Sequence, residues 1–152
     1  MIRTENEYQD AVAQLKAQKE RLQKKEAKLQ KQNLSAEEVA RGIAPEKTFM
    51  LQLAEEIESY EKLRRGDLGE IQNLNLAGLG RMLIGVRIAR GISQRKLAEL
   101  MGVHESQVSR DERNEYHGIT LERAQRLLDV MGVTLSTRVQ APQLSPEATV
   151  QE

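Results

Sequence analysis

The stretch that most constrains this chain is 92–114, ISQRKLAELMGVHESQVSRDERN. It reads as two short helices joined by a tight turn. Ser93 is placed to N-cap the first, with its hydroxyl facing the free amides of the opening turn. Leu97, Ala98 and Met101 then fall on one face at helical spacing. Gly102 stops the helix where a left-handed residue is wanted, and Val103 plugs the turn into the core. The second helix, His104 to about Arg113, turns only Val108 inward. Its other face carries Glu105, Ser106, Gln107, Ser109 and Arg110, all polar or hydrogen-bonding groups. A helix that buries one side on its partner and offers such groups outward is shaped to enter a major groove.

The pattern extends over residues 79–133. It includes Arg87, the run Gly91-Ile92-Ser93-Gln94, Leu97-Ala98, Gly102-Val103, Val108-Ser109-Arg110 and Glu112-Arg113. Thr120-Leu121 and the Leu127 to Val133 end of a later helix complete it. Together these residues resemble the helix-turn-helix domain of the phage repressor/Cro-like (XRE) family, over a little over a third of the chain. The resemblance implies a small lambda-repressor-like bundle with Leu83 and Val86 in its core and double-stranded DNA as partner. It also implies a backbone-contacting role for Gln94 and a structural ion pair between Arg87 and Glu112. Asp111 departs from the family, which has an apolar or aromatic residue there. Either the end of the second helix packs loosely or Asp111 pairs with a nearby arginine.

Aromatics are scarce, with one Phe, three Tyr and no Trp, and the abundant residues are strong helix formers. The expected fold class is all-α. Without cysteine there is neither a disulfide framework nor a thiolate metal site, and two histidines alone do not make a zinc site. No phosphate-binding glycine loop, serine elbow or cysteine nucleophile is present. The expectation is therefore no enzyme, no cofactor and no metal. No apolar run approaches the roughly 20 residues of a membrane span, and MIRTENEYQD has no signal-peptide core. A cytoplasmic protein is expected. The net charge of zero conceals a division: residues 75–140 hold 10 Arg and Lys against 7 Asp and Glu, residues 1–74 hold 13 against 14, and the tail adds two glutamates. A +3 region can bind DNA if its arginines share a face, with a reliance on dimerisation.

Residues 1–66 read as a helical hairpin, an arm for oligomerisation or for a partner. From Thr4 to Asn33 there is no Gly or Pro, and Tyr8, Leu15, Leu22 and Leu29 recur every seven residues. Ser35 and Glu38 form a capping-box pattern for a second helix. Gly42 and Pro45 are expected to interrupt it, with Pro45 opening a restart. Phe49, Leu53, Ile57 and Tyr60 make the next seam. Folding back would bring the glutamates of 55–61 near the basic 16–22 region. The seams are narrow, so the hairpin either lies on its own helix-turn-helix domain or pairs with a second chain. The heptad-like spacing favours the second. The basic run 16–31, seven bases against two acids, reads mainly as a solvated face.

Residues 67–75 read as a linker and 76–133 as the DNA-binding domain. Its opening helix, Leu76 to about Arg90, also carries Ile84 and Ile88 on a second stripe. That stripe is either a broad core face or a docking strip for the N-terminal helices. Asn114 to Ile119 form a loop. Thr120 caps the last helix, with Glu122 and Arg126 as an i,i+4 pair. Leu121, Ala124, Leu127, Leu128 and Met131 close the bundle. Residues 134–140 alternate like a short strand, which needs a partner or packs as an arm. Residues 141–152 are expected to be disordered.

The base-contacting candidates are His104, Glu105, Ser106, Gln107 and Arg110. Gln107 suits adenine and Arg110 suits guanine. The phosphate-contacting candidates are Gln94, Arg95, Arg113, Asn114 and His117. The expected function is a sequence-specific, dimeric transcription regulator, a repressor in the first reading. The alternative is an antitoxin that binds a protein toxin and regulates its own operon. For that reading, Ile2-Arg3-Thr4-Glu5 with Tyr8, then Leu53, Glu56 and Tyr60, are similar to the front end of HigA-type antitoxins.

Overall fold

A computed structural model describes residues 1–32, 34–68 and 76–137. Among them are six α-helices: α1 (Glu5–Gln30), α2 (Ala36–Arg64), α3 (Leu79–Ala89), α4 (Gln94–Met101), α5 (Glu105–Arg113) and α6 (Leu121–Met131). A 3₁₀ turn, Leu76–Gly78, leads into α3. The expected linker lies mostly outside the described residues, and so does the tail 141–152. No described helix is long and apolar enough to cross a membrane.

The two long helices begin where their caps predict. Thr4 accepts from the Glu7 amide at the start of α1, and Ser35 with Glu38 makes a full capping box for α2. The helices run antiparallel, as the contacts of Glu5 with Arg64 and Lys25 with Glu46 require. Their seam is a strict alternation of three- and four-residue steps. On α1 it runs Tyr8, Ala11, Leu15, Gln18, Leu22, Lys25, Leu29; on α2 it runs Val39, Ile43, Glu46, Met50, Leu53, Ile57, Tyr60. Every one of these is buried or half-buried. Lys25 and Glu46 form a polar layer between the apolar ones, the kind of pairing that selects one register over its neighbours.

Three expectations for the arm are corrected. Pro45 does not interrupt α2, which is continuous from Ala36 to Arg64. Proline removes one amide, but α1 supports the helix on both sides of it, and the Pro45 ring is exposed. Phe49 stands outside the seam and is 44% exposed, because Glu46 and Met50 hold the inward positions around it. The basic 16–22 region does not meet the glutamates of 55–61. Glu61 accepts from the Tyr8 hydroxyl at 2.7 Å, and Glu58 pairs along its own helix with Lys62. Apolar packing sets the register, since exposed ion pairs contribute only about 0–1 kcal/mol each.

The base of the hairpin docks on α3. Ile2, Ala11, Ile57 and Tyr60 join the same buried cluster as Leu83, Ile84, Val86 and Ile88. Tyr8 stacks on Tyr60 with centroids 5.2 Å apart, and the Arg64 guanidinium sits 5.1 Å from the Tyr8 ring centre. The second stripe of α3 is thus covered by the chain's own N-terminal helices.

Helices α3 to α6 close around Leu83, Ile84, Leu97, Leu127 and Met131, each at most 2% exposed. Leu121 does not join them. It is the first residue of α6 and is 70% exposed, since the cap turns the helix inward only from Ala124. Arg126 does not pair with Glu122; it donates to the Met101 carbonyl at 3.2 Å and so satisfies an orphan acceptor at the end of α4. Thr134 to Thr137 form no strand: among the described residues there is no neighbouring strand to pair with, and 138–140 lie outside them.

The α5–α6 loop hides a core residue. Glu115 and Tyr116 take left-handed backbone angles, φ 48 and 53, which drive the Tyr116 ring inward to 6% exposure. Burial pushes its phenol well above the ordinary value, with the Glu112 carboxylate adding to the shift. The Tyr8 and Tyr60 phenols are raised as well, chiefly by the Glu61 hydrogen bond and by burial respectively. Above the ordinary phenol value of 10.0 the unfolded chain releases a proton that the folded chain keeps. Stability is therefore expected to fall as pH rises past that point. Urea unfolding across the alkaline range should show a shallower fall for Tyr116→Phe; an unchanged slope would refute the assignment.

Candidate nucleic-acid interface

The interface is built on α4 and α5. Ser93 caps α4 by accepting from the Lys96 amide at 3.0 Å. The helix ends at Gly102, whose φ of 68 lies in the left-handed region, and Val103 donates back to the Ala98 carbonyl. His104 is the N-cap of α5 rather than its first residue. Its Nδ1 accepts from the Ser106 amide at 3.2 Å and lies 2.8 Å from the Ser106 hydroxyl. The His104 ring is thus committed to starting the helix, although it remains exposed.

Helix α5 is two-sided. Val108 and Glu112 are buried. Glu105, Ser106, Arg110, Arg113 and Asn114 are exposed, and Gln107 is half-buried at the edge. Ser106, Arg110 and Arg113 follow one another at helical spacing on one face, a stripe about 10 Å long. Among the described residues Arg110 and Arg113 make no ion pair. Arg95 is exposed and pairs weakly with Glu99 at 3.6 Å. His117 is exposed beyond the loop.

Beneath this face lies a buried charge network. Arg87 is 4% exposed at its side chain and Glu112 is 0%. Arg87 Nε donates to one Glu112 oxygen and Nη2 to the other at 2.7 Å, the bidentate geometry a guanidinium prefers. Nη1 donates to the Ile92 carbonyl at 2.8 Å and Nη2 also to the Arg3 carbonyl at 2.9 Å. Gln94 Nε2 donates to Glu112 at 2.7 Å. The expected ion pair forms, and it ties α3, α4 and α5 together. The Gln94 side chain is drawn into that network. What it leaves outward is the opening of α4, where first-turn amides lack helical acceptors.

Asp111 resolves in favour of the arginine: it pairs with Arg123 of α6 and fastens the end of α5 to the bundle. Arg81 pairs with Glu115 at 3.0 Å and holds that carboxyl below its ordinary range.

One grouping escapes sequence reasoning. A cleft of about 480 Å³ is lined by Thr4, Asn6 and Arg64 of the hairpin base together with Gln94, Arg95 and Glu105. Residues separated by tens of positions carry no local signal of such proximity.

Residues 85–137 match the family model described as helix-turn-helix. No curated protein and no solved structure matches the chain. Fold, buried network and family match converge on one segment: residues 85–137 form a helix-turn-helix domain of the phage repressor/Cro-like (XRE) type, a DNA-binding regulator's domain.

Proposed function

We propose that the chain is a sequence-specific transcription regulator that binds DNA as a dimer. Residues 76–133 are its reading head and 1–66 its arm. The observation that carries this reading is the two-sidedness of α5. Val108 and Glu112 are buried, while Arg110 and Arg113 stand outward beside exposed Ser106 and, among the described residues, make no ion pair. Glu105, Ser106, Gln107 and Arg110 would meet base edges, with His104 at the helix start. Arg95, Arg113, Asn114, His117 and the opening of α4 at Gln94 would meet phosphates. Two heads would enter successive major grooves about 34 Å apart.

Random-site selection with the full chain should return a two-fold-related site. On that site, Gln107→Ala with Arg110→Ala should reduce affinity by about 30-fold or more, since two bidentate base contacts at roughly 1–3 kcal/mol each are lost. Unrelated duplex should be affected much less. Equal binding by wild type and double variant would remove the assignment.

A second reading keeps this head and gives the arm a protein partner, as in an antitoxin that regulates its own operon. It is supported by the length of α1 and α2 beyond the docked base and by exposed Phe49 and Leu51 on α2. Expression with the reading frame beside the gene, followed by co-purification, decides between the two.

A further inference from the structure

We propose that the Ile2–Thr4 lead-in to α1 is a positioning element for the reading head, and that Glu7 is the residue that aims it. This rests on the DNA-reading role assigned to α5. The Arg87 guanidinium has four acceptors: both oxygens of Glu112, the Ile92 carbonyl and the Arg3 carbonyl. Three belong to the head. The fourth comes from the other end of the chain, 84 residues away.

The Arg3 carbonyl is held in place from both sides. Ile2 is 6% exposed and sits in the cluster that joins the hairpin to α3. Glu7 takes the Arg3 amide on Oε2 at 2.8 Å and the Arg3 guanidinium on Oε1 at 3.0 Å. Thr4 accepts from the Glu7 amide at 3.2 Å and starts the helix. With its amide and side chain both clamped to Glu7, Arg3 presents its carbonyl to Arg87. Burial disfavours the charged Glu7 carboxyl, but its bonds to Arg3 outweigh that and hold it below the ordinary carboxylate range.

From Arg87 the linkage continues into the reading elements. Glu112 lies in the last turn of α5, and Gln94 in the first turn of α4 bonds to the same carboxylate. A guanidinium is a rigid planar fork. When one acceptor moves, the fork cannot bend; it re-centres on those that remain and carries Glu112 and Gln94 with it. In a buried, low-dielectric setting such a network has few alternative arrangements. The placement of the arm's first residues thereby sets the angle between α4 and α5, on which base and phosphate contacts both depend.

The test compares full-length wild type and Glu7→Gln, each alone and with Gln94→Ala, on the selected operator and on an unrelated duplex at one salt concentration. Glu7→Gln should weaken operator binding by about fivefold while leaving unrelated duplex within about twofold. In the Gln94→Ala background the same change should cost less than about twofold, because the link to α4 is already cut. Arg3→Ala, which keeps the backbone carbonyl but frees its clamp, is the second variant and should behave alike. Equal losses on both duplexes, or a full fivefold loss in the Gln94→Ala background, overturns the proposal. So does operator affinity unchanged in both Glu7→Gln and Arg3→Ala. Should wild type select no operator, the DNA-reading role fails by itself. The positioning element is then judged by the Arg87 Nε–H resonance and by amide exchange. Faster exchange in α5 than in α6 on Glu7→Gln supports it, and an unmoved resonance with unchanged exchange refutes it.

Discussion

Glu112→Ala is expected to destabilise the protein by about 3–5 kcal/mol. The carboxylate is fully buried and accepts from Arg87 twice and from Gln94 once. Removing it strands a guanidinium that is itself 4% exposed, with only the Ile92 and Arg3 carbonyls left. The cost is dominated by that uncompensated buried charge rather than by the attraction lost. The double replacement Arg87→Met with Glu112→Leu should therefore be less damaging than Glu112→Ala alone, because it removes both charges and keeps the volume. Urea unfolding followed by circular dichroism gives both values. A loss below about 1 kcal/mol for Glu112→Ala would mean that water reaches the pair.

The second large effect is expected from Gly80→Ala. A β-carbon built on Gly80 would stand 1.8 Å from the Glu115 carbonyl oxygen and 2.6 Å from its carbonyl carbon. Both are backbone atoms, so no side-chain rotation relieves the contact. Either α3 or the 115–116 turn must move. That turn is already held at positive φ, and it carries the buried Tyr116 ring. The cost should reach about 3 kcal/mol, the upper part of the range for overpacking. The sign is diagnostic: glycine to alanine inside an unobstructed helix stabilises by up to about 1 kcal/mol. Spectroscopic titration of the phenols provides a second readout, because Tyr116 should titrate closer to its ordinary value once the turn has shifted. A stabilised Gly80→Ala variant would show that α3 and the turn are not in contact.

Much of the head was legible because its signals are local. Ser93 and Thr120 cap the helices they precede, Gly102 ends α4 and Val108 faces inward, each within one turn of the residue that causes it. The Arg87–Glu112 pair was accessible only through family resemblance, since 25 residues separate its members. Tyr116 was missed because nothing nearby marks it as apolar core; left-handed angles at two non-glycine residues turn it inward, and they are tolerated only with the bundle packed around them. The arm shows the same limit. Its heptad spacing announced two paired helices, whereas the register followed from the apolar side chains that interlock along the seam, with Lys25 and Glu46 as a polar layer among them, and not from the larger charge blocks. Phe49 fell outside for the same reason.

From the residues alone came the helices of the head, their caps, the outward polar face of α5 and the existence of a two-helix arm. All of these depend on interactions within a few residues, or on periodicity along a single helix. Tertiary structure decided where the arm sits, which of its charges meet, and that an Arg3 carbonyl completes the acceptors of Arg87. Those outcomes depend on close packing between distant segments, where ångström-scale fit chooses among arrangements that composition and charge leave nearly equal.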